Sequence, residues 1–197
     1  ELHALVMSHG KNKIVPTEYR DGQNVIRDGA TRAIVYMPPE AKDVPALMKA
    51  MIKWLQEQKE TPCPILAGII HYQFATIHPY YDGNGRTARA VATLILYKRG
   101  YDFRRLFALE DYYNKARPKY YTAINIGKNY EERRVDFTPW LEYFVKGFKE
   151  EIDNVKAKIS SLQSKKVDKK IQSQIYLDKD QMQIVDFLDR IGKITAK

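Results

Sequence analysis

A chain of 197 residues, 44% hydrophobic and 12% aromatic, holds enough apolar material for one substantial core, and one main domain is the natural count. Its single cysteine, Cys63, excludes an internal disulfide and fits a reducing compartment, while the uncharged run 61–81 is interrupted by Pro62, Pro64, His71, Gln73, His78 and Pro79, which suits a buried helix rather than a membrane span. No membrane partner and a cytoplasmic location are therefore expected, and the formal charge of +9 favours anionic partners without establishing nucleic acid, since Lys165-Lys166 and Lys169-Lys170 read as a solvated helix face.

The chain starts at Glu1 inside an apolar-patterned segment, and both ends are expected to be incomplete. A β element is expected within residues 24–36, where Asp28-Gly29 is a turn dipeptide between two short apolar-rich stretches. Val44, Leu47, Met48, Met51, Ile52 and Leu55 repeat at three-four spacing, which predicts an amphipathic helix with Asp43 as its N-cap and Pro45 tolerated in its first turn. Residues 64–77 and 88–97 are almost uninterrupted apolar sequence and predict two buried helices, the second ending at Gly100 after Lys98 and Arg99. Residues 112–126 predict a helix that Pro118 interrupts. A long helix follows from Thr138-Pro139, read as its cap, with apolar residues at 137, 141, 144, 145, 148, 152, 155, 159 and 162. Its length suits contact with a partner or a second copy, so a homodimer is one expectation. A last amphipathic stretch covers 180–191, and no internal repeat interrupts this order. The fold class is all-α, a helical bundle with a small β-hairpin.

Between the two apolar helices lies His78-Pro79-Tyr80-Tyr81-Asp82-Gly83-Asn84-Gly85-Arg86-Thr87-Ala88-Arg89, a base, a carboxylate, two glycines and two arginines in one loop and helix start. Gly83 and Gly85 permit positive φ and close backbone approach, and the helix beginning near Gly85 directs free N–H groups and its positive dipole end at the same spot. Arg86 and Arg89 share a face there, where a helix disfavours cations, so a bound anion such as a polyphosphate resolves the conflict. Singly these residues mean little: His before Pro is an ordinary helix end, and Asp-Gly and Asn-Gly are common turns. A calcium loop is excluded because Arg86 and Thr93 stand where oxygen ligands belong. The run G-x-x-x-x-G-K-[ST] is absent, and Gly83-x-Gly85 lacks the third glycine of a dinucleotide fingerprint.

The joint pattern resembles the Fic family motif, H-x-F-x-[DE]-G-N-G-R-x-x-R, with Tyr80 for Phe as the one departure. The resemblance runs from about Tyr19 to about Phe148, through Glu18-Tyr19-Arg20, Ala33-Ile34-Val35-Tyr36-Met37-Pro38-Pro39, Asp43-Val44-Pro45-Ala46-Leu47-Met48, Lys119-Tyr120-Tyr121 and Pro139-Trp140. It implies a Fic domain over residues 1–165 and a helical extension over 166–197. That extension is similar to the first helix of a winged helix-turn-helix, and DNA is a partner only if a complete winged helix follows.

The activity this resemblance implies is transfer of AMP from ATP, with Mg²⁺, to a Ser, Thr or Tyr hydroxyl of a target protein or of the chain itself. His78 would accept the hydroxyl proton, Asp82 would hold the metal, and the N–H groups of Gly83, Asn84 and Gly85, with the Asn84 side chain, would stabilise charge on the α-phosphate. Arg86 and Arg89 would grip the β- and γ-phosphates, and Thr87 joins the nucleotide-binding set. The hairpin would be a flap that aligns the target segment by strand addition, with Ile34, Val35 and Tyr36 bordering the nucleotide and Tyr120 and Tyr121 in the adenine pocket.

Two other readings stand beside this one: a nucleotide-sensing DNA-binding regulator, and a Fic-type enzyme that removes AMP or transfers a different phosphate-containing group. Related proteins resemble one another in an inhibitory helix, [ST]-x-x-x-E-[GN], whose Glu pairs with the second motif arginine, here Arg89. No Glu here precedes Gly or Asn, and the shorter match from Thr138 to Glu142 reads as a helix start. The inhibitory segment is therefore expected upstream of Glu1 or on another protein.

Overall fold

The structure is a computed structural model that describes residues 1–8, 15–101 and 109–167. A short helix, α1 (Leu2–Met7), precedes an antiparallel ribbon of β1 (Ile26–Arg27) and β2 (Ile34–Tyr36). Then come α2 (Val44–Glu57), α3 (Cys63–Ile77), α4 (Asn84–Lys98), α5 (Leu109–Lys115), α6 (Arg117–Ile124), α7 (Tyr130–Arg133) and α8 (Thr138–Val167). The described residues thus form an all-α domain with one small ribbon. None of their helices is long and apolar enough to cross a membrane. The stretch 180–191, the Lys169-Lys170 pair and most of the expected 166–197 extension lie outside the described residues.

α3 is central because it is apolar on every face: Leu66, Ala67, Ile70, Tyr72, Phe74 and Ile77 are all buried. It packs against α4 on one side and α8 on the other. Gly68 lets α8 approach, since a Cβ there would meet Phe144 at 3.0 Å and Leu141 at 3.1 Å. The fully buried Trp140 then donates its indole N–H to the Gly68 carbonyl at 2.9 Å. This satisfies the ring's polar atom while its apolar area contributes about 1.5–3 kcal/mol.

Three helix boundaries differ from expectation in their capping. Asp43 makes no side-chain cap, because it sits in a 3-10 turn over Ala41–Asp43 that runs directly into α2. Asp136, rather than Thr138, caps α8: its carboxylate accepts the Thr138 N–H at 2.9 Å, which pulls that carboxyl's pKa down. The expected 112–126 helix is two helices, broken at Ala116, so that Pro118 falls in the first turn of α6, where its missing N–H costs nothing.

The ribbon's turn is longer than Asp28-Gly29. Asp28 Oδ1 accepts from Ala30 N, Thr31 N and the Thr31 hydroxyl, and Asp28 N donates to Ala33 O. A side chain satisfying several backbone donors at once stabilises this wider loop over a two-residue turn. β2 is rooted by Tyr36, fully buried, whose hydroxyl donates to the Thr76 carbonyl at 2.6 Å and whose ring lies 3.4 Å beneath the Arg133 guanidinium.

Candidate active site

The loop between α3 and α4 opens with strain. His78 ends α3 in the left-handed region, φ 53° and ψ 58°, a place usually given to glycine and costly for other residues by about 1–3 kcal/mol. Three contacts hold it there. Its N–H closes the helix on Phe74 O at 3.0 Å, its ring Nδ1 meets Ala75 O at 3.2 Å, and its carbonyl accepts from Arg20 Nε at 2.9 Å. A carbonyl only accepts, so the proton sits on Nδ1 and Nε2 carries the free lone pair. Burial pushes the imidazole pKa down to about 4, and the Arg20 and Arg133 cations add to the shift. His78 is therefore neutral near pH 7.

Arg20 is buried and spends its guanidinium on carbonyls: His78, Gly22 at 3.0 Å, and Pro39. Its own N–H donates to Pro79 O at 2.9 Å. Tyr81 ties the outer rim to the same segment, donating to Asp21 at 2.6 Å and accepting from Gly22 N at 2.8 Å. The sequence pattern marks Arg20 only as a landmark residue, and nothing in it assigns Tyr81 a role.

Gly83 is the turn into α4. Its φ is +75°, and a Cβ would lie 2.6 Å from Met7 Sδ and 3.0 Å from His3 Nε2, so both backbone and space require glycine. Gly85, by contrast, is helical and lies within the first turn of α4. The first N–H groups of α4 have no intrahelical acceptor, and the chain engages two neighbouring side chains to shape this mouth. Asn84 is buried, with Oδ1 accepting Tyr80 N at 2.9 Å and Nδ2 donating to Tyr80 O at 2.6 Å. That amide is committed to the loop, so the Asn84 side chain, expected to face the α-phosphate, is spent on Tyr80. Thr87 is likewise buried and donates its hydroxyl to Gly83 O at 2.9 Å.

The charged residues stand at the rim. Asp82, well exposed, pairs with Arg86 at 3.0 Å. Arg89 approaches Glu110 of α5, Nε to Oε2, at 2.5 Å. The contact is ionic rather than a well-aligned hydrogen bond, since the buried Nε–H has no acceptor along its own direction. Glu110 carries none of the expected inhibitory pattern. Among the described residues no group of three or more His, Cys, Asp or Glu could hold a metal, so a cation here would rest on Asp82 and on ligand oxygens. An exposed single carboxylate beside the free N–H groups of a helix start has the chemistry of a Mg²⁺ ligand, since that ion takes one or two carboxylates and keeps its remaining sites for other oxygens and water.

Ile34, Val35 and Tyr121 line one groove, together with Asn125, Ile126 and Glu132. Tyr36 and Tyr120, expected beside the nucleotide, lie in the core instead. The Tyr120 hydroxyl is hydrogen-bonded to the buried His71, 3.1 Å from Nε2, and its ring packs against Tyr113 and Trp140, so no face is open for a base.

Residues 1–96 match the model of the Fic/DOC family. Proteins named protein adenylyltransferase Fic are similar over 103 residues: that of Nematostella vectensis is 34% identical, over 51% of this chain and 22% of its own length. That of Drosophila melanogaster is also 34% identical, over 51% of this chain and 19% of its own. The chain thus matches about a fifth of the length of these curated relatives. The crystal structure of a Fic family protein from Desulfovibrio desulfuricans G20 superposes with a TM-score of 0.63 at 26% identity, over 93% of this chain and 54% of that one. A Fic domain containing signaling protein from Bacteroides thetaiotaomicron VPI-5482 shares the fold, with a TM-score of 0.53 at 19% identity over 79% and 63%.

Proposed function

Since the chain belongs to the Fic/DOC family, we propose that it is a nucleotidyltransferase that moves AMP from ATP to a hydroxyl-bearing side chain of a protein. The observation that carries this reading is the state of His78: neutral, oriented by Ala75 and Arg20, and with Nε2 free at the entrance to an anion-binding helix start. The relatives named adenylyltransferases support the same chemistry.

In the proposed reaction the acceptor oxygen attacks the α-phosphorus of ATP. The bond from that phosphorus to the β-phosphate bridging oxygen breaks, pyrophosphate leaves, and the hydroxyl proton passes to His78 Nε2. The N–H groups at the start of α4 face the charge that develops on the α-phosphate, and Arg86 and Arg89 orient the β- and γ-phosphates. Asp82 would hold Mg²⁺, which supplies charge neutralisation across the phosphates when bound. Ile34, Val35 and Tyr121 offer an apolar groove for the base beside the ribbon, and the ribbon itself offers an extended target segment a strand to pair with.

The test is release of pyrophosphate from ATP and Mg²⁺ with a protein acceptor. Wild type should release it in proportion to acceptor modified, and His78→Ala should not. Equal release by both would remove His78, and with it this mechanism.

A further inference from the structure

α1 reaches the loop through one side chain. His3, 6% exposed, places Nε2 2.9 Å from the Asp82 carbonyl and Nδ1 2.9 Å from the Thr17 hydroxyl. A carbonyl cannot donate, so Nε2 carries a proton and donates it to Asp82 O, and Nδ1 is partnered by the Thr17 hydroxyl, so both ring nitrogens are satisfied. The ring also stacks on Tyr80, 3.7 Å between centroids at 22°. It therefore touches the loop on both sides of Tyr81: a ring face on Tyr80, whose backbone Asn84 holds, and a donor on the peptide joining Asp82 to Gly83.

That peptide matters because its two ends have different tasks. On one side hangs the Asp82 carboxylate, and on the other Gly83 turns in the left-handed region to start α4. Rotating the Asp82 carbonyl would swing the carboxylate and tilt the first N–H groups of α4 together. We propose that His3 is a positioning residue, which through its Nε2–H bond to the Asp82 carbonyl fixes the carboxylate and the anion-binding N–H groups in the orientation that an ATP polyphosphate requires. The inference rests on the proposed ATP reading of this site.

Calorimetric titration of the full chain with ATP, in EDTA and again with Mg²⁺, separates this role from packing. His3→Phe keeps a ring against Tyr80 and loses the donor, whereas His3→Gln can return an N–H to the same carbonyl. His3→Phe should weaken ATP binding about three- to tenfold, the range of one lost hydrogen bond, with the larger loss in Mg²⁺ and with thermal stability close to wild type. His3→Gln should recover most of it. ATP affinity unchanged in His3→Phe, or reduced equally in His3→Phe and His3→Gln in step with lost stability, would overturn the proposal. Wild type that fails to bind ATP would instead sink the functional reading, and this inference with it.

Discussion

Arg89 and Glu110 meet at 2.5 Å, joining α4, the helix that starts at the candidate site, to α5 from farther along the chain. The carboxylate sits on one of the two arginines proposed to grip phosphate. Glu110 is half exposed, so the pair contributes no more than about 1 kcal/mol. Glu110→Gln should accordingly strengthen ATP binding by up to about fivefold at low salt, with less gain at high salt. Weaker binding would show that Glu110 orients Arg89 rather than competing for it.

His78→Ala should lower AMP transfer about 10²- to 10⁴-fold while ATP affinity stays close to wild type, because the role proposed for the imidazole is that of a base rather than a phosphate ligand. Single-turnover kinetics beside calorimetry checks both halves. Transfer at the wild-type rate would exclude His78 as the base.

The acid side of the pH profile has a definite sign. Burial lowers His78 to about 4 and His71, fully buried, to about 3, from an ordinary value of 6.5. The unfolded chain takes up these protons first, so the histidines' contribution to stability is complete above about pH 6.5 and is lost as pH falls through about 4 and 3. The proposed proton transfer titrates with the folded His78 and not with His71. From about pH 8 to about 5.5, kcat/KM should stay flat in acid terms, while Tm begins to fall below about 6.5. A kinetic limb near 6.5 would mean that His78 is as solvated as in a peptide.

Much of the candidate site is legible in the sequence because its residues are local: His78, Asp82, Gly83, Arg86 and Arg89 fall within one turn and the first turns of one helix. The apolar run before it likewise announces α3, which is buried along most of its length, whereas α4, expected to be buried as well, leaves Leu94 and Tyr97 exposed. What holds the loop was not legible. His3, Arg20 and Glu110 reach it from distant segments, and a lone histidine or arginine carries no pattern that names its partner. Tyr120 and Tyr36 misled for the related reason that an aromatic near a ligand and one in the core look alike in sequence, and burial decides between them. The hairpin's turn is wider than the Asp28-Gly29 dipeptide suggests because Asp28 satisfies donors beyond Gly29.

Gly83→Ala tests the geometry of the turn. Left-handed backbone costs an L-residue about 1–2 kcal/mol, and the new methyl would press on Met7 and His3. Denaturant unfolding should show a loss of at least about 1 kcal/mol, accompanied by loss of ATP binding. Stability and binding both equal to wild type would contradict the structure at this position.

The most direct measurement follows which phosphate of ATP becomes attached to protein. Wild type is incubated with Mg²⁺ and cell extract, once with ATP labelled at the α-phosphate and once with ATP labelled at the γ-phosphate, beside His78→Ala. AMP transfer predicts protein bands carrying α-label and no γ-label, absent with His78→Ala and absent in EDTA. Bands carrying γ-label, or α-label undiminished in His78→Ala, would contradict the account.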